Sequence, residues 1–383
     1  MSNIVGVICE YNPFHKGHKY QIDKIREKMP DATIVAIMSG NIVQRGEFAI
    51  IDKYERAKIA LDCGANAVFE LPYPYSGSTA EIFAGAGVEL AYRLGCETLC
   101  FGTEILGVNE LEKIAEAINS KEFNEEMKAC DNDKSQSYIT KKERILEKLG
   151  CVVPKSANDM LGVEYIRAIK NKNLPLRYVG IERVGSFYND ESVSEVMSAT
   201  AIRKYFYENG EFVSVPTAAQ KHYEEIKVSG KYLDADLANR FLQSHMLLNC
   251  DGVKDVFDSN AEIESIIKNA IKNGESINSL SSKIYTTARI KRVIMYKLFG
   301  VKDVDFTPQF TILLGADIKG LEVAKRATKQ FPIITKHADG KKLNESFYKM
   351  LERVYLVDCV YYSLSKAQML PSDAYKRNPI IKK

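Results

Sequence analysis

Strand-like and helix-like patterns alternate along the first 215 residues, and this alternation constrains the fold more than any single residue does. The strand-like runs are Ile4 to Cys9, which is apolar and reads as a buried strand, Thr33 to Met38, Ala67 to Leu71, Thr98 to Phe101 and Leu176 to Ile181. Between them lie amphipathic stretches, Lys53 to Leu61, Thr79 to Leu94 and Asn109 to Ile118, long enough to serve as crossover helices. Parallel strands joined by such crossovers carry helices on both faces, so the pattern predicts an α/β, Rossmann-like domain over residues 1–215. Ligands in open sheets of this kind lie beyond the carboxyl ends of the strands, which makes the residues just after each run the site candidates.

The first run delivers Glu10-Tyr11-Asn12-Pro13-Phe14-His15-Lys16-Gly17-His18, after which Ile22, Ile25 and Met29 return at helical spacing. Both histidines therefore sit where a strand turns into a helix N-terminus, a place where free N–H groups and the helix dipole favour an anion. Gly17 lets backbone approach a phosphate, and the imidazoles can donate to its oxygens; the bland alternative is that one His caps the helix and the other packs. The second run ends in Ser39-Gly40-Asn41-Ile42-Val43-Gln44-Arg45-Gly46-Glu47. Here Gln44 and Arg45 can hold acetate or phosphate, or Arg45 can simply pair with Glu47 on a solvated loop. The fourth run ends at Phe101-Gly102-Thr103-Glu104, where Gly102 either exposes backbone to a nucleotide or makes the turn. In Ser156-Ala157-Asn158-Asp159-Met160-Leu161-Gly162-Val163-Glu164-Tyr165, Asn158 or Asp159 reads as an N-cap. The fifth run delivers Arg183, a candidate phosphate clamp, followed by Val184 to Asp190. Further on, Met197-Ser198-Ala199-Thr200-Ala201-Ile202-Arg203 opens a helix, with Ser198 as its cap and Thr200 and Arg203 as candidate pyrophosphate contacts.

Beyond Pro216 the pattern is mainly helical: Leu237 to Leu248, Glu262 to Ile271, Ser282 to Leu298 and Leu343 to Ser365. A small strand-helix-strand element, Phe310 to Leu314, Ile318 to Thr328 and Phe331 to Thr335, interrupts it. The expectation is a second, mainly α-helical domain over residues 216–383. Its basic residues fall in clusters: Arg289, Lys291, Arg292 and Lys297; Lys325, Arg326 and Lys329; Lys336, His337, Lys341 and Lys342; Lys376, Arg377, Lys382 and Lys383. Each cluster alone reads as a solvated face, while together they admit a phosphate-backbone surface. Tyr285, Tyr296, Tyr348, Tyr361 and Tyr362 are open to base stacking or to the core.

A hydrophobic fraction of 45% and a net charge of +3 suit a soluble enzyme and exclude a histone-like charge footprint. No run has the apolar length of a membrane span, and the polar start Met1-Ser2-Asn3 lacks a signal-peptide pattern, so the cytoplasm is expected. The eight cysteines form no C-x-x-C pair, and His222, His245 and His337 lack partners at ligand spacing, so no protein-bound zinc is expected.

The His15-Lys16-Gly17-His18 segment resembles the H-x-G-H signature of the nucleotidyltransferase superfamily, and 197–203 resembles its I-S-x-T-x-I-R motif with Met197 in place of Ile. Three longer segments, E-Y-N-P-F-H-K-G-H, S-G-N-x-V-Q-R-G-E and N-D-x-L-G-x-E-Y, resemble the bacterial tRNA(Met) cytidine acetate ligase family, and the likeness runs over essentially the whole chain. Phe48-Ala49 departs from the Pro-Ala of that family. The resemblance implies a HUP-type nucleotidyltransferase domain followed by a tRNA-binding region, with ATP as substrate and Mg2+ on its phosphates. It implies transfer of acetate, through acetyl-adenylate, to N4 of the wobble cytidine of elongator methionine tRNA. His15 and His18 would be catalytic. ATP contacts would come from Val7-Ile8-Cys9-Glu10-Tyr11-Asn12-Pro13-Phe14-His15-Lys16-Gly17-His18-Lys19-Tyr20, and from Gly102, Asn158, Arg183, Ser198, Thr200 and Arg203. Two other readings fit parts of the chain: an adenylyltransferase acting on a phosphorylated cofactor precursor, and a non-catalytic RNA-binding protein on a nucleotide fold.

Overall fold

The five strand-like runs become five parallel neighbours in one sheet. The computed structural model describes residues 3–130, 136–183 and 197–383, so the segment Val184 to Asp190 lies outside the described residues. Its strands are β1 (Ile4–Cys9), β2 (Thr33–Ser39), β3 (Ile42–Val43), β4 (Glu47–Phe48), β5 (Ala67–Leu71), β6 (Thr98–Thr103), β7 (Arg177–Glu182), β8 (Thr311–Ala316), β9 (Ile333–Ile334) and β10 (Ile380–Ile381). The main sheet runs β10-β8-β5-β2-β1-β6-β7, with β9 on β8, while β3 and β4 form a separate hairpin. β1, β2 and β5 are buried along their whole length because helices cover both faces, which is why they read as continuous apolar runs. The order reverses direction at β1, whose neighbours are β2 and β6, and this switch point opens a crevice at the carboxyl edge.

The strand-helix-strand element of the C-terminal half does not stand apart. β8 pairs antiparallel to β5, from Ala67 opposite Ala316 to Glu70 opposite Ile312, and β10 and β9 pair parallel to β8. The sheet therefore runs across the boundary expected at 215/216, and it is mostly rather than wholly parallel. Asn66 fastens this junction: its Nδ2 donates to Asp317 Oδ2 at 2.7 Å, while its Oδ1 accepts from Ile34 N at 2.8 Å. The expected helix from Ser282 begins only at Thr287, because Ser282 Oγ accepts from the N–H groups of Ile284 and Tyr285 and holds that stretch in a turn. The expected strand Phe331 to Thr335 shrinks to Ile333–Ile334. Among the described residues no helix is long and apolar enough to cross a membrane.

The hairpin β3–β4 leans on the helix Thr287–Leu298, and one glycine permits it. Gly46 has φ +73°, and a Cβ there would lie 2.5 Å from the backbone nitrogen of Arg292. Gly46→Ala is therefore expected to destabilise the protein by about 1–3 kcal/mol, since an L side chain meets both the left-handed backbone and an unyielding main chain. Denaturant melts of the variant check this; an unchanged midpoint would contradict it.

Candidate active site

His15 is the N-cap of the helix Lys16–Lys28, and its Nδ1 accepts the N–H of Gly17 at 3.0 Å. His18, one turn in, accepts the N–H of His15 on its own Nδ1 at 3.2 Å. The pair is thus a capping box built from two imidazoles, with rings stacked at a centroid distance of 3.8 Å. Capping and ligand binding are not alternatives here. Each ring that accepts through Nδ1 must carry its proton on Nε2, so two neutral N–H donors remain beside the helix N-terminus. Gly17 is required by this cap, because a Cβ would come within 2.9 Å of His15 Cε1.

The electrostatics hold both rings neutral. Burial, reinforced by Arg183 and Arg203, pushes His15 down to about 3; burial, His15 and Arg183 push His18 well below its ordinary value. Because the folded-state values lie below 6.5, this contribution to stability is complete above pH 6.5 and is lost as the pH falls towards 3. In ligand-free protein, long-range 1H–15N spectra from pH 8 to 5 are expected to show two Nε2–H rings that do not titrate. A ring titrating near 6.5 would contradict the arrangement.

The loop before the helix is fixed from several sides. Asn12 Oδ1 accepts from Ile50 N at 2.8 Å, and Phe14 O accepts from the Tyr223 hydroxyl at 2.6 Å. Lys16 N donates to Ser214 O at 2.9 Å. Tyr11 has φ +48° and sets its ring edge-on to His18 at 4.8 Å. Arg56, fully buried, donates to the carbonyls of Ile51, Ser39 and Gly40 and of Glu10, tying the ends of β1 and β2 together. The side chains of Val7, Ile8 and Cys9 belong to the core, and their backbone pairs with Ala36, Ile37 and Met38 of β2. Lys19 pairs with Asp23, and Tyr20 lies beneath Lys24, so these two are engaged along the helix.

Arg183, from the end of β7, reaches this N-terminus: its Nη2 would lie 3.7 Å from a Cβ on Gly17. Its Nη1 donates to Glu104 Oε1 at 2.7 Å, and the same carboxylate accepts from Asn158 Nδ2. Arg183 also crosses the face of Gly102, where a Cβ would meet it only at ordinary contact distance, 3.5 Å. Internal packing therefore does not demand glycine at 102. The cap of the helix Ala157–Asn171 is Ser156, not Asn158 or Asp159. Asn158 is thereby released to face Glu104, while Asp159, fully buried, accepts the N–H groups of Glu104, Ile105 and Leu106. Glu104 and Asp159 were not among the expected site residues; the carboxyl-edge rule reaches Glu104, but no sequence signal separates Asp159 from a cap.

From the other side, Ser198 caps Ala199–Asn209 as expected, accepting from Ala201 N at 3.2 Å. Arg203 donates to Asn12 O at 2.7 Å and to Thr200 Oγ1 at 3.3 Å, which places the second motif against the first. Gln44 is used internally, with its N–H donating to Glu10 Oε1 and its Nε2 to Ser78 O, both at 2.9 Å. Arg45 is exposed at the same edge, and Glu47 pairs with Lys291 at 2.6 Å. Burial pushes the Glu10 carboxyl up.

A mostly parallel α/β sheet that presents a histidine pair at its first helix N-terminus, flanked by two arginines, is a nucleotidyl-transferase architecture. The HIGH Nucleotidyl Transferase family model matches residues 2–376. Thermosipho africanus tRNA(Met) cytidine acetate ligase is 33% identical over 97% of this chain and 94% of that protein. The enzyme of the same name from Lactobacillus gasseri is 31% identical over 87% and 90%. Thermotoga maritima TmcAL bound with alpha-thio ATP superposes with a TM-score of 0.88 at 26% identity, covering 99% of both chains, and its apo form gives 0.90. The chain belongs to the tRNA(Met) cytidine acetate ligase family.

Proposed function

We propose that this protein is an ATP-dependent acetate ligase that acetylates N4 of the wobble cytidine of elongator methionine tRNA. The observation that carries the reading is the pair of neutral Nε2–H donors of His15 and His18, set at a helix N-terminus between Arg183 and Arg203. That arrangement suits the α-phosphate of ATP, where charge redistributes as an acetate oxygen attacks phosphorus and the bond to pyrophosphate breaks. Arg203 and Thr200 take the departing pyrophosphate, while Gly102 and Asn158 hold the nucleoside. The cytidine amine then attacks the acetyl carbonyl carbon, a C–N bond forms, the C–O bond to AMP breaks, and a proton leaves the amine. Activation matters because free acetate is a poor acyl donor and its mixed anhydride with AMP is a good one. Arg45, at the same edge, is a candidate contact for acetate or phosphate.

Mg2+ would enter with the ATP phosphates, which it bridges in such sites. For tRNA, the clusters divide. Arg289, Lys291 and Lys382 are committed to Asp258, Glu47 and Asp62, and Tyr285, Tyr296, Tyr361 and Tyr362 are core residues. Lys325, Arg326, Lys329, Lys336 and Lys341 are exposed in one stretch and form the favoured phosphate-backbone surface. The site of action is the cytoplasm, where ATP and tRNA meet.

The test is incubation of purified protein with ATP, labelled acetate and total tRNA, followed by nucleoside analysis. N4-acetylcytidine carrying the label is the expected product. Pyrophosphate release without acetate, or no label in RNA, would favour a small-molecule adenylyltransferase.

A further inference from the structure

We propose that the cavity between the β3–β4 hairpin and the helices Ala199–Asn209, Ala235–Asn249 and Thr287–Leu298 receives the acceptor cytosine base, with Glu47 accepting a hydrogen bond from its exocyclic amine. The inference rests on the acetate-ligase reading and adds to it where the second substrate sits.

Position argues first. The nucleotide candidates Gly102, Asn158 and Arg183 lie on the β6–β7 side of the switch point at β1, whereas the hairpin follows β2 on the opposite side. Arg203 belongs to both regions: it lines the cavity, and it donates to Asn12 O in the histidine loop. A two-substrate reaction at the histidines needs its acceptor to approach from this second side. Size argues next. The cavity holds about 240 Å³, below the roughly 300–1,000 Å³ of pockets that enclose whole small-molecule ligands, and so suits a single ring rather than a nucleotide.

The lining matches a base in particular. Phe48, Leu242 and Ile294 supply apolar walls for ring faces, and Tyr207, 43% exposed, stands at the rim. The charged groups are Glu47, Lys291 and Arg203, and Asn239 adds an amide to the lining. Lys291 Nζ binds Glu47 Oε1 at 2.6 Å and, although burial opposes it, holds this carboxyl below its ordinary range, so the group is an anion at neutral pH. An anionic carboxylate accepts a hydrogen bond from an amine. Cytosine presents a donor at position 4, where uracil presents an acceptor, so Glu47 would select the base that carries the nucleophile.

The test uses full-length protein and anticodon stem-loop RNA with cytidine or uridine at the target position. Two variants probe the cavity independently: Glu47→Gln removes the charge at constant size, and Ala238→Leu fills space without altering charge. Each is measured for acetate-dependent ATP–pyrophosphate exchange and for acetyl transfer. Both are expected to lower the ratio of transfer to exchange by at least about tenfold, Glu47→Gln through loss of one charge-assisted hydrogen bond and Ala238→Leu through loss of the space for the ring. Glu47→Gln is also expected to shrink the preference for the cytidine over the uridine loop in competition. Retention of the ratio and of the preference would overturn the proposal. So would equal losses in exchange and transfer, or a raised KM for ATP in Ala238→Leu, which would assign the cavity to the first half-reaction. Absence of acetate-dependent exchange in the unmodified protein would instead overturn the ligase reading itself.

Discussion

His18→Ala is expected to lower acetate-dependent ATP–pyrophosphate exchange by a factor on the order of 10²–10³, the loss that follows removal of one preorganised donor to developing charge. His15 requires a subtler substitution because it has two tasks. Its Nδ1 caps the first helix and its Nε2 faces the site, so His15→Ala mixes about 1 kcal/mol of lost cap with lost catalysis. His15→Asn separates them: asparagine is a favoured N-cap but cannot place a donor where Nε2 lies. Exchange should fall on the order of a hundredfold while the melting midpoint stays near that of the unmodified protein. Exchange that survives in His15→Asn would reduce the residue to a cap.

The second large effect is on stability. Lys53, fully buried, lies 2.7 Å from Glu70 Oε2 and 2.6 Å from Asp358 Oδ2, and Asn41 Nδ2 donates to Asp358 Oδ1 at 2.9 Å. Burial pushes Asp358 up to about 7 although Lys53 opposes it, and Glu70 is raised for the same reason. Lys53→Met should cost about 3–5 kcal/mol, because two carboxyl groups are left buried without their cation. Asp358→Asn in that background should recover part of the loss, since its amide oxygen can still accept from Asn41. Denaturant melts of both variants and the pair check this, and additive losses would show that the three groups are not one unit.

This cluster also marks what a sequence alone conceals. Asn41 reads as a residue of a polar ligand-edge loop, yet it is buried and binds Asp358 from the far end of the chain. β1, β2 and β5 were legible because both faces of each are covered, so burial writes itself into a local apolar run, whereas β7 is only partly buried and carries a weaker signal. The placement of β8 was not: a short apolar run carries no mark of which sheet edge it joins, and pairing with β5 is a decision of the whole fold. The histidine pair was legible by type and spacing, but not its double use, which depends on ring orientation. Glu47 illustrates the same limit, since its partner Lys291 is distant in sequence and near only because Gly46 lets the helix in.

The central claim is that the histidine site activates acetate by joining it to the α-phosphorus of ATP. Acetate labelled with 18O in both oxygens tests this most directly, with mass spectrometry of the AMP released during tRNA acetylation. Attack by acetate on phosphorus followed by cleavage of the acyl C–O bond leaves one labelled oxygen in AMP, and that is the expected result. AMP without label, or label in inorganic phosphate, would contradict the account.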